Sequence, residues 1–375
     1  MATEPAEPGI AGQTHRYPCE QCGSDLRYSP GQTALKCDHC GHEQTIAPTR
    51  AKVLGELDYQ RAVRSELPDA SMQETRVTAC PNCGAQVQFE GASHAAECPF
   101  CATPVVADTG TQRQIKPQAL VPFVLPEATA RDAMAAWLGR LWFAPNGLRD
   151  YARKGRRLQG LYVPYWTYDA DSASRYTGQR GEHYYETRTV SVNVNGRNER
   201  RQERVQKTRW YPASGHVSRR FDDVLVMAAK SLPRNYADGL EPWDLAALTA
   251  YQADYLAGFR AEGYTVPLEE GHAIGRIQMD RVIEQDVRRD IGGDVQQVSS
   301  VDTSLSGETF KHILLPIWMA AYKYRGRTFQ FIVNAQTGKV QGERPWSVWK
   351  ISFAVLLALI VIGVAGYIYS LQPQQ

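Results

Sequence analysis

Eight cysteines, all within the first 101 residues and all in Cys-x-x-Cys pairs, constrain this 375-residue chain more than any other feature. The pairs are Cys19/Cys22, Cys37/Cys40, Cys80/Cys83 and Cys98/Cys101. Four thiolates on two such short loops can surround one Zn²⁺ tetrahedrally, and the chain holds two sets. Two zinc ions are therefore expected. The first would be bound by Cys19, Cys22, Cys37 and Cys40, the second by Cys80, Cys83, Cys98 and Cys101. Thiolate softness alone admits iron, but the ribbon spacing favours zinc. An all-cysteine site leaves no coordination position for water or substrate, so both read as structural. Each metal replaces a hydrophobic core too small to fold alone, at roughly 10–16 kcal/mol of apparent binding energy. Short-loop pairs belong to a reducing compartment, and no cysteine is left over as a lone nucleophile.

The two sets are an internal repeat. Every cysteine of the second lies 61 positions after its counterpart, and 14 residues separate the pairs within each set. Gly23, Gly41 and Gly84 follow three of the knuckles, where a positive φ favours glycine; Ala102 stands at the fourth. The expected organisation is a disordered polar tail over 1–16 with no signal peptide, a zinc ribbon over 17–46 and an amphipathic linker helix over 50–67. A second ribbon over 78–106 and a body over 116–343 follow, then a transmembrane helix over 350–370.

The body reads as antiparallel-sheet-rich α+β. A helix is expected over 127–143, with Ala130, Met134, Trp137, Leu138 and Leu141 on its apolar face. The aromatic stretch 161–170 reads as a strand that Pro164 places at an edge or a bulge. Asn195-Gly196 predicts a hairpin between strands 184–194 and 200–211. Helices are expected over 242–259 and 268–291, the second stopped by Gly292-Gly293, with strands from 295 to 340. Segments 161–166 and 313–318 share a Pro-x-Trp strand, which raises a second duplication, inside the body.

Residues 351–369 carry no charge and reach about 28 Å as a helix, enough to span a hydrocarbon core. Trp346, Trp349 and Lys350 flank one end, and Tyr367 and Tyr369 the other, as in an aromatic belt. Arg344 and Lys350 precede the span and no basic residue follows it. Positive-inside bias then keeps the N-terminal body in the cytoplasm.

A net charge of +2 excludes a global pull on nucleic acid, so any electrostatic partner must meet a local patch. The second ribbon has no Lys or Arg between Cys80 and Cys101, and the first mixes both signs; this points the ribbons to protein rather than nucleic acid. Basic clusters do occur at Arg153, Lys154, Arg156 and Arg157, and on the hairpin at Arg197, Arg200, Arg201, Arg204, Lys207 and Arg209. Three readings stand: a solvated, aggregation-resistant edge, contact with anionic lipid, or nucleic acid, since Tyr184, Tyr185, Trp210 and Tyr211 interleave the charges.

No catalytic constellation stands out. His-Glu-x-x-His, Gly-x-Ser-x-Gly and the phosphate loop are all absent from the sequence. Asp222-Asp223 reads as a solvated pair, and His183, His216 and His312 have no assignable partners. The chain reads as a non-enzyme, and nothing in it specifies an oligomeric state.

The stretches CEQCG…CDHCG, CPNCGA…CPFCATPVV, LYVPYWTYDA…SRYTGQRGEHYY, RWYPASGHVSRRFDDVLV and FKHILLPIWMAAYKYRGRTFQFIVNAQTGKVQGERPWS carry a resemblance. From about Tyr17 onward the chain resembles a bacterial family of tail-anchored double-zinc-ribbon membrane proteins. Its members are labelled as similar to primosomal protein N′ (replication factor Y) or a superfamily II helicase. Here the cysteine spacing departs from the interleaved eight-cysteine module of the primosomal helicase. The phosphate loop and acidic partner needed for ATP are also missing. The resemblance implies a single-pass protein of the bacterial inner membrane. Its partners would be cytoplasmic or membrane-associated, with SPFH/band-7 and phage-shock-type membrane-stress proteins among them. The first expectation is thus a non-enzymatic adaptor, and the alternative a membrane-tethered nucleic-acid-binding protein.

Overall fold

Long antiparallel strands organise the computed structural model. It describes residues 17–47, 55–82, 84–88, 95–98, 100, 103–106, 111–141, 158–194, 197–324, 327–343 and 347–370. Three short strands, β1 (Leu26–Tyr28), β2 (Ala34–Cys37) and β3 (Glu43–Thr45), form an antiparallel sheet around the first two knuckles. A linker holds β4 (Leu57–Asp58) and helix α1 (Tyr59–Val63). Next come β5 (Met72–Ala79), β6 (Gln86–Gln88), β7 (Ala95–Glu97), β8 (Pro104–Val106) and β9 (Thr111–Ile115); β5 pairs β6 and β9, and β7 pairs β8.

The body begins with β10 (Ala119–Leu120) and α2 (Glu127–Arg140), followed by β11 (Gln159–Val194) and β12 (Arg197–Met227). After α3 (Arg234–Gly239) come β13 (Thr249–Ala250), β14 (Arg260–Ala261) and α4 (Leu268–Ile291). Then β15 (Val295–Tyr324), β16 (Arg327–Asn334) and β17 (Val340–Gly342) lead to α5 (Val348–Ser370). One mixed sheet runs β12-β11-β15-β10-β13, with β14 added to β11, β16 and β4 to β15, and β17 to β16. The chain is therefore α+β with a sheet-rich body.

Several expectations need correction. The linker helix is only five residues, because Asp58 caps it: Asp58 Oδ1 accepts the Arg61 N–H at 2.8 Å, and Ser65 turns left-handed with φ 58° after it. Leu57 pairs with Phe310 in the sheet instead of lying on a helix; residues 48–54 are outside the described residues. No α-helix forms over 242–259. Thr249–Ala250 is pulled into the sheet against β10, leaving two 3-10 turns at Leu245–Ala247 and Ala253–Leu256. The hairpin strands are far longer than expected, 36 and 31 residues, and the Asn195-Gly196 turn lies outside the described residues.

Pro164 also defies its expectation, since β11 is an interior strand and the bulge lies further along, between Tyr168 and Ala170. Its missing N–H falls where the neighbouring strand has just ended: β12 stops at Met227, and the Pro164 carbonyl accepts the Ala228 N–H at 2.9 Å. Pro316 repeats this arrangement with Ala335, at 3.1 Å, beyond the end of β16.

That equivalence extends through the body. Thr265 and Val266 both donate to the Ala228 carbonyl, as Val124 and Leu125 do to Ala335. Trp166 Nε1 donates to the Val266 carbonyl and Trp318 Nε1 to Leu125, each just before a proline that opens a helix. β14 runs parallel to β11 as β10 runs parallel to β15. The two Pro-x-Trp segments thus occupy matching places, paired antiparallel across the centre of the sheet.

Because side chains alternate along a strand, this sheet buries two faces. Leu120, Tyr162, Leu314, Trp318, Phe331 and Val333 pack with Ala130, Met134 and Leu138 of α2 and with Leu26, Tyr28, Leu35 and Ile46 of the first ribbon. The intervening residues, among them Leu161, Val163, Ile313, Leu315 and Ile332, meet Ala85, Phe100 and Val105 of the second ribbon and Ala237 and Leu240 near α3. Each ribbon lids one face. Farther along β11, Trp166, Tyr168 and Ala170 meet α4 through Met279, Ile283, Val287 and Ile291. Gly271 allows that approach, since a Cβ there would lie 2.5 Å from Tyr168 Oη.

His312 is buried in this core, with Nδ1 donating to the Ile115 carbonyl at 2.7 Å and its ring against Trp166 and Tyr264. Burial lowers its pKa from 6.5 to about 4. A histidine held neutral stabilises the fold above pH 6.5 and loses that contribution as pH falls toward 4. The loss should be about 3 kcal/mol. Urea titrations of wild type and His312→Gln across pH 4–7 should show a flatter profile for the variant; parallel profiles would refute the assignment.

Candidate metal centre and the basic arm

Two tight turns, joined by β1 and β2, bring Cys19, Cys22, Cys37 and Cys40 together. Gly23 and Gly41, with φ 72° and 77°, donate to the Cys19 and Cys37 carbonyls, which curls each knuckle around its second sulfur. Cys19 Sγ lies 3.6 Å from Cys40 Sγ, and Cys22 Sγ 3.5 Å from Cys37 Sγ. Sulfurs held about 2.3 Å from a central zinc sit roughly 3.8 Å apart in a tetrahedron. The cluster therefore fits one zinc ion. Cys19 and Cys37 are buried, and Cys22 and Cys40 are exposed. Ser24 backbone and side-chain hydrogen bonds draw the Cys22 thiol down to about 6. A His42 backbone bond also favours the Cys40 thiolate, but desolvation and the adjacent thiols outweigh it and push Cys40 up to about 12. Four thiols this close cannot all ionise without a cation.

The second set is described in part, since Cys83 and Cys101 lie outside the described residues. Cys80 and Cys98 are buried like Cys19 and Cys37. Their turns also match. The N–H of Cys80 donates to the Ala85 carbonyl and that of Cys98 to Thr103, both at 2.8 Å, as Cys19 does to Ser24 and Cys37 to His42.

The basic residues fall in two groups. Arg153, Lys154, Arg156 and Arg157 lie outside the described residues. The hairpin residues lie on β12, beyond the last β15 pairing at Gly181–Val295, so that from Glu182 to Val194 the sheet narrows to two strands for roughly 40 Å. Arg200, Arg201, Arg204, Lys207 and Arg209 are exposed there; only the backbone of Arg197 is described. Lys207 pairs with Glu186, Arg204 lies over the Tyr185 ring at 5.0 Å, and Arg209 over Tyr184 at 5.0 Å.

Helix α5 is long and apolar enough to cross a membrane, and none of the span Trp349–Tyr367 is buried. Trp349 and Tyr367 are exposed near its ends, and Lys350 is half-buried beside Trp349. Trp346 and the Tyr369 side chain lie outside the description.

One ionic site escaped the sequence. Lys311 is buried with Nζ 2.8 Å from Asp223 Oδ1, 3.2 Å from Glu56 Oε1 and 3.4 Å from Asp169 Oδ2. Burial alone would lower the ammonium, but its bond to Asp223 and the charges of Asp169 and Asp223 hold it above its usual range. Asp223, expected to be solvated, thus neutralises a core lysine. The only local signal was a lysine amid the apolar run of β15.

No protein-family model and no solved structure matches the chain. It is 25% identical over 340 residues to uncharacterized protein YdjG of Bacillus subtilis, a likeness covering 90% of this chain and 92% of that protein. A shorter one, 32% identical over 73 residues, relates 18% of the chain to 66% of transcription factor S of Sulfolobus acidocaldarius.

Proposed function

We propose that the chain is a non-enzymatic adaptor, tethered by α5 to the inner face of a bacterial inner membrane, that recruits cytoplasmic proteins through two zinc ribbons. One observation carries the tether: the apolar surface of α5 is wholly outside the body, where water would oppose it. The ribbons suit recruitment because each turns its buried cysteines to the body, and the first leaves Cys22 and Cys40 at the surface. The matching turns at Cys80 and Cys98 support a second zinc completed by Cys83 and Cys101. The matching hydrogen bonds around Pro164 and Pro316 support a duplicated body.

Membrane fractionation tests the reading. The full chain should pellet with membranes and resist alkaline carbonate, whereas a chain truncated before Val348 should become soluble. Crosslinking in cells should capture proteins that are lost when the ribbon is stripped of zinc. A full chain that stays soluble, or captured proteins indifferent to zinc, would defeat it. The alternative, a membrane-tethered nucleic-acid-binding protein, draws support from the arm and from the partial likeness to a transcription factor.

A further inference from the structure

The two faces of the arm differ in a way that the total charge hides. Residues opposite one another in the ladder share a face. One face carries Arg180, Glu182, Tyr184, Glu186 and Arg188 of β11 against Tyr211, Arg209, Lys207, Val205 and Glu203 of β12, with Val190 and Arg201 beyond. Its carboxylates are matched: Glu182 bonds Arg180 at 2.9 Å, Glu186 bonds Lys207, and Glu203 stands opposite Arg188. The other face carries Gly181, His183, Tyr185, Thr187, Thr189 and Ser191 against Trp210, Thr208, Gln206, Arg204, Gln202 and Arg200. Among the described residues of the arm that face has no carboxylate. Asp294, at its base, accepts the His183 backbone N–H. Toward the body the same face continues with Arg175 opposite Asp302 and Asp171 opposite Arg220, each charge matched. Among the described residues, the cations on this face with no carboxylate opposite them are Arg200 and Arg204. Arg204 lies over one exposed ring, Tyr185 at 59%, and a second, Trp210 at 42%, stands four residues beyond that level on the same face.

We propose that this face, with Trp210, Tyr185, Arg204 and Arg200 in one stripe, is a docking surface for single-stranded nucleic acid. Its complement is a polyanion with flat rings at short intervals. The arginines take phosphates, the aromatics stack unpaired bases, and the Thr, Gln and Ser side chains between them offer hydrogen bonds without sequence preference. Arg204 already lies over Tyr185, which holds a planar cation ready beside a stacking ring. An anionic bilayer fits less well. Headgroup adsorption grows with the number of cations and relies on clusters of about four to eight, whereas this face has two and no aliphatic side chain to insert. Trp210, opposite Gly181, is also roughly 70 Å along β11 from the Gln159 end, where β16 and β17 lead to α5.

The test uses the full chain in zwitterionic nanodiscs, titrated against fluorescein-labelled oligothymidylate by anisotropy at several salt concentrations. Two phosphate contacts predict a slope of log K against log salt of about −1.4. The pair Arg200→Gln with Arg204→Gln should bring that slope near zero. Trp210→Ala or Tyr185→Ala should weaken binding about 5- to 150-fold. Arg201→Gln with Lys207→Gln, on the opposite face, should change affinity less than twofold. Zinc content and circular dichroism verify that each variant is folded. Failure to bind at low salt would overturn the proposal. So would equal losses from the two arginine and lysine pairs. A third overturning result is binding to phosphatidylglycerol vesicles that needs Arg200 and Arg204 while the oligonucleotide is ignored.

Discussion

Replacing Cys37 with serine should cost the protein one metal and unpack a whole face of its body, not just a small N-terminal module. The apparent zinc affinity of such sites is worth about 10–16 kcal/mol, as much as the entire stability of an ordinary domain, so the ribbon should unfold without it. The damage spreads because Cys19 and Cys37 belong to the same buried cluster as Phe123, Tyr162, Tyr255 and Phe259. Tyr28 N–H donates to the Ala257 carbonyl and Gly31 N–H to Phe123, stitching the ribbon to the body along its edge. Losing the lid would bare the stacked Phe123 and Phe259 rings, 4.1 Å apart. Elemental analysis should find about one zinc fewer per chain. Hydrophobic dye should bind, and amides of β10 and β14 should exchange faster. Full metal content in the variant, or unchanged exchange at Leu120 and Ala261, would disprove the coupling.

Lys311→Met should be almost as damaging by a different route. It removes the cation that Asp169 and Asp223, mostly buried, and Glu56, partly exposed, share among the described residues. Breaking a buried pair by deleting one partner costs about 3–5 kcal/mol, because the remaining charge keeps its desolvation penalty. For a body of this size that corresponds to a fall in Tm of roughly 10 °C. Burial already raises the Asp169 carboxyl, and the Asp223 backbone N–H and the Lys311 charge oppose it. Without Lys311 its folded pKa should rise further, so the variant should regain stability as pH falls through that raised value. Because His312 titrates in both proteins, the regain should appear as a gap to wild type that narrows as pH falls. Adding Asp223→Asn should restore part of the loss. A Tm within a degree or two of wild type at neutral pH would show that the cluster is not an energetic hub.

The first cysteine cluster and the terminal apolar helix were legible because each is specified locally. A Cys-x-x-Cys knuckle needs only its own turn, and an uncharged run of 351–369 needs no neighbour to be apolar. The helix over 268–291 was equally clear, since Leu268, Gly271, Gly275, Met279, Ile283, Val287 and Ile291 repeat at nearly four-residue spacing before Gly292. Where pairing decides, the sequence misleads. Thr249–Ala250 joins a sheet through β10, which lies more than a hundred residues earlier, so the helix expected over 242–259 was the wrong element. Pro164 looked like an edge residue because nothing local reveals that β12 stops at Met227. The Lys311 cluster draws its carboxylates from the linker, β11 and β12, and no window of sequence contains all of them. The two-faced charge pattern of the arm could have been read by pairing Val194 with Arg197 and counting outward.

The uninterrupted ladder from Tyr184–Lys207 to Val194–Arg197 also limits how this arm can change length over evolution. Deleting a single residue from either strand would slide everything beyond it to the wrong side, placing carboxylates among the stacking rings. Residues can be gained or lost without that inversion only in matched steps of two on each strand. The arm should therefore lengthen or shorten by quantised amounts, each roughly 7 Å, with its chemistry intact.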